Sequence, residues 1–104
     1  MNELHPILSI ILKESLLLTG TTTMITNIFL FGSALYSLSP SDIDLLTIYR
    51  NSHTSNYRNL MQLRECVRVK VKRDLGKEVD MVILNEDEYH DSVYESLEKV
   101  VLIA

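Results

Sequence analysis

The sequence predicts a mixed α/β domain, a small β-sheet with helices packed on it, and three observations predict it. Apolar residues recur at spacings of three and four in two long stretches, which is the helical period. Short runs of apolar and β-branched residues lie between and after those stretches, which suits strands. Gly20, Gly76 and Pro40 fall at the boundaries, where helices and strands stop or turn. The order that results is helix, two strands, helix, strand, helix, and a last strand or docked tail. Helices set against one small sheet follow from it.

Residues 6–19 read as the first helix, with Pro6 in its first turn and Gly20 at its C-terminal end. Ile7, Leu8, Ile10, Ile11, Leu12, Leu16, Leu17 and Leu18 give it apolar residues on more than one face. A surface helix ordinarily carries one apolar stripe. The excess implies a deeply buried helix or one that covers a partner, so association through this helix is expected. Thr21 to Thr26 is a polar connector into a strand from Asn27 to Phe31. A Gly32-Ser33 turn and a loop to Pro40 follow, then a strand from Asp42 to Tyr49. Its run Leu45-Leu46-Thr47-Ile48 is apolar on both faces, as in a central strand. Residues 50–55 form a loop that contains His53, with Thr54 or Ser55 as helix cap.

In residues 56–75, Leu60, Leu63, Val67, Val71 and Leu75 mark a helix that stops at Gly76. Arg64, Arg68 and Lys72 recur every fourth residue as a basic ridge, with Arg73 and Lys77 nearby. The ridge reads either as a solvated face or as a patch for a phosphate-rich or acidic partner. Residues 78–84 are the third strand. Asn85 and Glu88 have capping-box spacing for a final helix whose stripe would be Tyr89, Val93 and Leu97. Val100 to Ile103 closes the sequence as the strand or tail.

The 104 residues fit one domain, expected to span 1–104. Apolar residues at 46% and charged ones at 23% are ordinary for a globular chain and argue against disorder. A net charge of −4 argues against general DNA or RNA coating. Cys66 is the single cysteine, so no internal disulfide can form, and it reads as a small buried helix residue. No secretory leader is expected, because the start carries Glu3 rather than a basic cluster and no small-residue cleavage site follows. No membrane span is expected either, because Lys13 and Glu14 interrupt the first apolar run. A cytoplasmic protein is the expectation.

The chemistry gathers between Phe29 and Tyr49. Asp42 and Asp44 alternate with Ile43 and Leu45, so both carboxylates point to one side of their strand. Two acids that close repel each other unless a cation lies between them. Mg²⁺ is commonly held by one or two carboxylates together with substrate phosphates. Gly32-Ser33 supplies a backbone free to turn, with amides and a hydroxyl that can meet a phosphate.

Gly32-Ser33 followed by Ser41-Asp42-Ile43-Asp44-Leu45 resembles the signature of the DNA polymerase β-type nucleotidyltransferase superfamily, in particular its minimal single-domain members. The resemblance covers roughly residues 25–104. The family's third carboxylate sits between apolar residues on a later strand, which Val79-Asp80-Met81-Val82 matches. Singly, Asp42 reads as a strand opener and Asp80 as an edge acid paired with Lys77. Their combination with Gly-Ser is what carries the likeness. Two departures stand beside it. The gap from Ser33 to Asp42 is shorter than is usual, and no Lys or Arg occurs between Gly32 and Tyr49.

The resemblance implies Asp42, Asp44 and Asp80 as catalytic, metal-binding acids for two Mg²⁺ ions, with Asp80 also helping to deprotonate the acceptor. It implies Gly32 and Ser33 as the nucleotide-binding pair for the terminal phosphates. The implied reaction moves a nucleoside monophosphate, AMP from ATP in the first instance, onto a hydroxyl of protein or RNA. The alternative is a binding module that keeps the fold without turnover, such as the antitoxin partner of a HEPN-type ribonuclease. Either way a homodimer or a hetero-complex with a neighbouring-gene product is expected.

Overall fold

The computed structural model describes residues 4–37, 40–51 and 56–104. In chain order these form α1 (Leu4–Thr19), β1 (Ile25–Phe31), a 3-10 turn (Gly32–Leu35), β2 (Asp42–Tyr49), α2 (Tyr57–Leu75), β3 (Glu78–Asn85), α3 (Glu86–His90), a second 3-10 turn (Val93–Ser96) and β4 (Lys99–Ile103). His53 and the expected caps Thr54 and Ser55 lie outside the described residues.

The sheet has the order β3-β2-β1-β4. β1 runs antiparallel to β2 and to β4, while β3 runs parallel to β2. A parallel neighbour needs a crossover connection, and α2 provides it.

Alternation along the strands sorts the residues into two faces. Ile28 and Leu30 of β1, Ile43 and Leu45 of β2, and Met81 of β3 point toward the helices. There they meet Leu8, Ile11, Leu12 and Leu16 of α1 and Leu60, Leu63, Val67 and Val71 of α2 in one buried cluster. Lys70 reaches Glu14 across the helix pair at 3.3 Å. The Ser9 hydroxyl donates to the Leu102 carbonyl at 3.2 Å, which ties α1 to the sheet edge.

The second apolar face expected of α1 is present and uncovered. Ile11 is only 4% exposed, whereas Ile10, Leu17 and Leu18 are 58%, 75% and 70% exposed. Cys66 is half-buried on α2. Among the described residues no helix is long and apolar enough to cross a membrane.

The opposite face of the sheet is crossed by residues 86–98. Phe29 stacks on Tyr89 with ring centroids 6.1 Å apart, and Phe31 meets the edge of Tyr94 at 5.6 Å. Lys99 lies over the Phe29 and Tyr89 rings at 5.4 and 5.5 Å. Its ammonium donates to the carbonyls of Tyr94, Glu95 and Leu97.

Two boundaries differ from expectation. β1 begins at Ile25, inside the expected connector, because Ile25 pairs with Tyr49 across a bulge and the Thr26 hydroxyl reaches the Ile48 carbonyl at 3.1 Å. The final helix stops at His90. Ser92 then caps the following 3-10 turn by accepting from the Tyr94 amide, a local bond that competes with helix continuation. The expected stripe through Val93 and Leu97 is not a buried one, since those residues are 73% and 44% exposed.

Candidate active site

β2 carries Asp42 and Asp44 at alternate positions on the face away from the helices. In the parallel ladder Asp44 is the register partner of Asp80, so the third acid stands on that same face, one strand away. Neighbouring strands lie about 4.8 Å apart. The Asp44 carboxyl is held above the ordinary carboxylate range, first by burial and then by the charges of Asp80 and Asp42. Those causes mark the three acids as electrostatic neighbours.

Among the described residues, no three of the His, Cys, Asp and Glu side chains stand close enough together to hold an ion as they are. The backbone register provides a shared face, and closing the carboxylates onto an ion takes side-chain rotation. The donor set itself suits a hard divalent cation, since it consists of oxygens only and carries uncompensated like charge.

Gly32 is built into this arrangement. Its φ is +76°, a region that side chains rarely adopt, and the 3-10 turn starts from it. A Cβ placed there would run into the Asp44 side chain, with its Oδ2 nearest, its Cγ 3.3 Å away and its Cβ 3.5 Å away. The glycine therefore allows the main chain to pass directly against the most buried of the three acids. Ser33 follows, exposed to solvent, and its carbonyl accepts from the amides of Tyr36 and Ser37 at 3.1 and 3.0 Å. The Gly-Ser element is thus one turn of 3-10 helix rather than an open turn. The Tyr36 hydroxyl is hydrogen-bonded to the Glu98 carboxylate, which raises the phenol above its ordinary range.

Lys77 does not pair with Asp80. Its ammonium donates to the Pro40 carbonyl, which clamps the end of α2 to the entry of β2. Lys99 shares the acid face but is spent on three carbonyls and two rings. The basic ridge is largely engaged as well: Arg68 pairs with Glu65, Arg73 with Asp74, and Lys72 with Glu78 at 2.9 Å.

One carboxylate escaped the sequence reading. Glu78 is the register partner of Asp42, so Glu78 and Asp80 alternate along β3 just as Asp42 and Asp44 do along β2. By backbone register the face has four acidic positions in a two-by-two array, but the Glu78 carboxylate is turned to Lys72 of α2 rather than to the other three acids. The signal was the Glu-x-Asp spacing at the start of the third strand. Lys72 holds the Glu78 carboxyl below its ordinary range through their hydrogen bond.

The profile of the family described as "Polymerase beta, Nucleotidyltransferase" matches residues 17–104. The fold is similar to a crystal structure described as that of a "putative nucleotidyltransferase" from Sulfolobus solfataricus. The two share 20% identity at a TM-score of 0.53, over 97% of this chain and 87% of that one. No curated protein sequence matches significantly.

Proposed function

Since the chain belongs to the polymerase β nucleotidyltransferase family, we propose that it transfers a nucleoside monophosphate, AMP from ATP, to a hydroxyl of a protein or RNA acceptor. The observation that carries this reading is the placement of Asp44. It shares a face with Asp42, is the register partner of Asp80, and lies against Gly32, where a Cβ would crowd the Asp44 carboxylate.

Asp42, Asp44 and Asp80 would hold Mg²⁺, and two such ions when bound stabilise the attacking and leaving oxygens of an in-line displacement. The chain's own residues do the rest. Gly32 brings main-chain amides close to the acids, and the exposed Ser33 offers its hydroxyl to the terminal phosphates. Asp80 is exposed and stands on the far side of Asp44 from Gly32, where it can accept the proton of an incoming hydroxyl. Pyrophosphate leaves on the Gly32-Ser33 side.

A second reading has a specific observation in its favour. No Lys or Arg lies between Gly32 and Tyr49, and Lys77 and Lys99 are engaged elsewhere. A fold short of cations for a triphosphate suits a module that binds without turnover, such as the antitoxin partner of a HEPN-type ribonuclease. The deciding experiment incubates the protein with Mg²⁺ and ATP labelled at the α-phosphate. It is run alone, with RNA, and with the neighbouring-gene product, beside Asp44→Asn. Transfer that needs both Mg²⁺ and Asp44 is expected. Tight nucleotide or partner binding with no label transfer would replace this reading with the second.

A further inference from the structure

We infer that the acceptor is an extended, acidic segment of polypeptide that adds to the open edge of β3 as a fifth strand. This inference rests on the nucleotidyl-transfer reading above and names the acceptor for that site. Three observations carry it.

The first is sidedness. Gly32-Ser33 follows β1, and the sheet order puts β1 and β3 on opposite flanks of β2. In an in-line displacement the attacking and leaving oxygens lie on opposite sides of the transferred group. With the terminal phosphates at Gly32-Ser33, the attacking hydroxyl comes from the β3 side, over Asp80.

The second is the edge itself. Among the described residues β3 has no strand beyond it. Its eight residues keep unbroken register with β2 from Glu78 to Asn85, without a bulge or a proline. Edge strands are usually blunted by such devices or by charges; the charges of β3 stand only at its start, at Glu78 and Asp80, and the run Met81-Val82-Ile83-Leu84 has none. The other edge, β4, is shorter, has a register irregularity, and lies two strands from Asp44.

The third is charge. Lys72 reaches Glu78 at the start of β3 from the helix side. Arg68 acts on the same carboxylate through its charge, and Arg64 lies one helical turn further along α2. The Lys72–Glu78 pair and the pair that Arg68 makes with Glu65 are both exposed, and exposed pairs are weak enough for an incoming acid to compete.

Together these features specify a pattern. Side chains of an added strand alternate between the faces. A Ser, Thr or Tyr in register with Asp80 therefore presents its hydroxyl to the acid face, while Asp or Glu on either side of it meets Arg68 and Lys72. The phenolic or alcoholic oxygen attacks the α-phosphorus of ATP. Its proton passes to the Asp80 carboxylate, the bond to the bridging oxygen breaks, and pyrophosphate departs, leaving a phosphodiester on the acceptor.

The test uses a synthetic peptide of about ten residues with a central Tyr flanked by Glu and outer Val and Thr, presented to the whole chain with Mg²⁺ and ATP. Amide shifts should change at residues 78–85 and along the Arg64–Lys72 flank, and label should reach the Tyr. Only alternate amides of an added strand bond the edge. N-methylation of one alternate set should thus weaken binding about tenfold or more, and of the other set hardly at all. Arg68→Glu with Lys72→Glu should cost binding while the circular dichroism spectrum stays unchanged. Shifts centred on 99–103, or equal effects of both methylated sets, would overturn the inference. Label on an oligoribonucleotide but not on the peptide would overturn it too, while leaving the transfer reading intact. Docking at β3 without transfer to any acceptor would sink the transfer reading and retain the edge as a binding site.

Discussion

Asp44 sits where burial and two neighbouring acids all push its carboxyl upward from the ordinary value of 3.8. Between that value and the raised one, the folded state binds more protons than the unfolded state, so stability falls as pH rises through the window. Below 3.8 the burden disappears. Asp44→Asn should therefore abolish Mg²⁺-dependent transfer yet melt at an equal or higher temperature in metal-free buffer at neutral pH. The difference in Tm should close as the pH is lowered through 3.8. A large loss of Tm would identify the aspartate as a structural residue. Gly32 and Gly76 both have positive φ, but only Gly32 has a neighbour within 4 Å of a built Cβ. Gly76→Ala should cost about 1–2 kcal/mol, the strain of a Cβ in the left-handed region, and Gly32→Ala about 1–3 kcal/mol together with loss of nucleotide transfer. Urea titration and the labelling assay separate these outcomes. At this scale the two-residue alternation made Asp42 and Asp44 legible in the sequence. The contact between Gly32 and Asp44 was not, because it depends on the antiparallel register that sets Phe31 opposite Asp44.

Elements with strong periodicity were read closely, and weakly patterned ones were not. α2 buries Leu60, Leu63, Val67 and Val71 and ends at Gly76, whose amide bonds the Lys72 carbonyl. Its apolar spacing and its stop signal agree, so the sequence announced both. The capping box at Asn85 and Glu88 is present in full, as a short motif that satisfies itself locally can be. Where the helix after it would end was not legible. The spacing of Tyr89, Val93 and Leu97 is helical, but periodicity cannot reveal that Tyr89 stacks on Phe29 while Val93 and Leu97 stay exposed, nor that Ser92 starts a new turn. With only five residues, α3 depends on its cap. Asn85→Ala should cost about 1 kcal/mol and loosen the stacking of Tyr89 on Phe29, which near-ultraviolet circular dichroism would register. Unchanged stability and an unchanged spectrum would show that the aromatic contacts hold this segment without the cap.

Across the whole molecule, the sheet buries one side of α1 and leaves the other side apolar and open. Each fully buriable aliphatic side chain left in water forgoes about 1.5–3 kcal/mol, and Ile10, Leu17 and Leu18 share that exposed side. Self-association with α1 at its centre is expected. Leu18→Glu should yield a folded monomer, whereas Ile11→Glu, which places a charge in the core, should unfold the chain. Light scattering of the unmodified protein at high concentration decides the matter, and a clean monomer with no binding partner would show that the domain tolerates the open face. The sheet's connectivity bears on how the protein is made. β1 is an inner strand, yet one of its two neighbours is β4, and the Ser9–Leu102 hydrogen bond spans 93 positions of chain. On the ribosome, β1 emerges before β4 and waits, one flank bare, until β4 has been synthesised. Long-range pairings of this kind slow folding. Until that partner strand is made, β1 offers a bare apolar edge of the kind that pairs with other chains, so the nascent protein is most exposed to misassociation in the interval between the synthesis of β1 and that of β4.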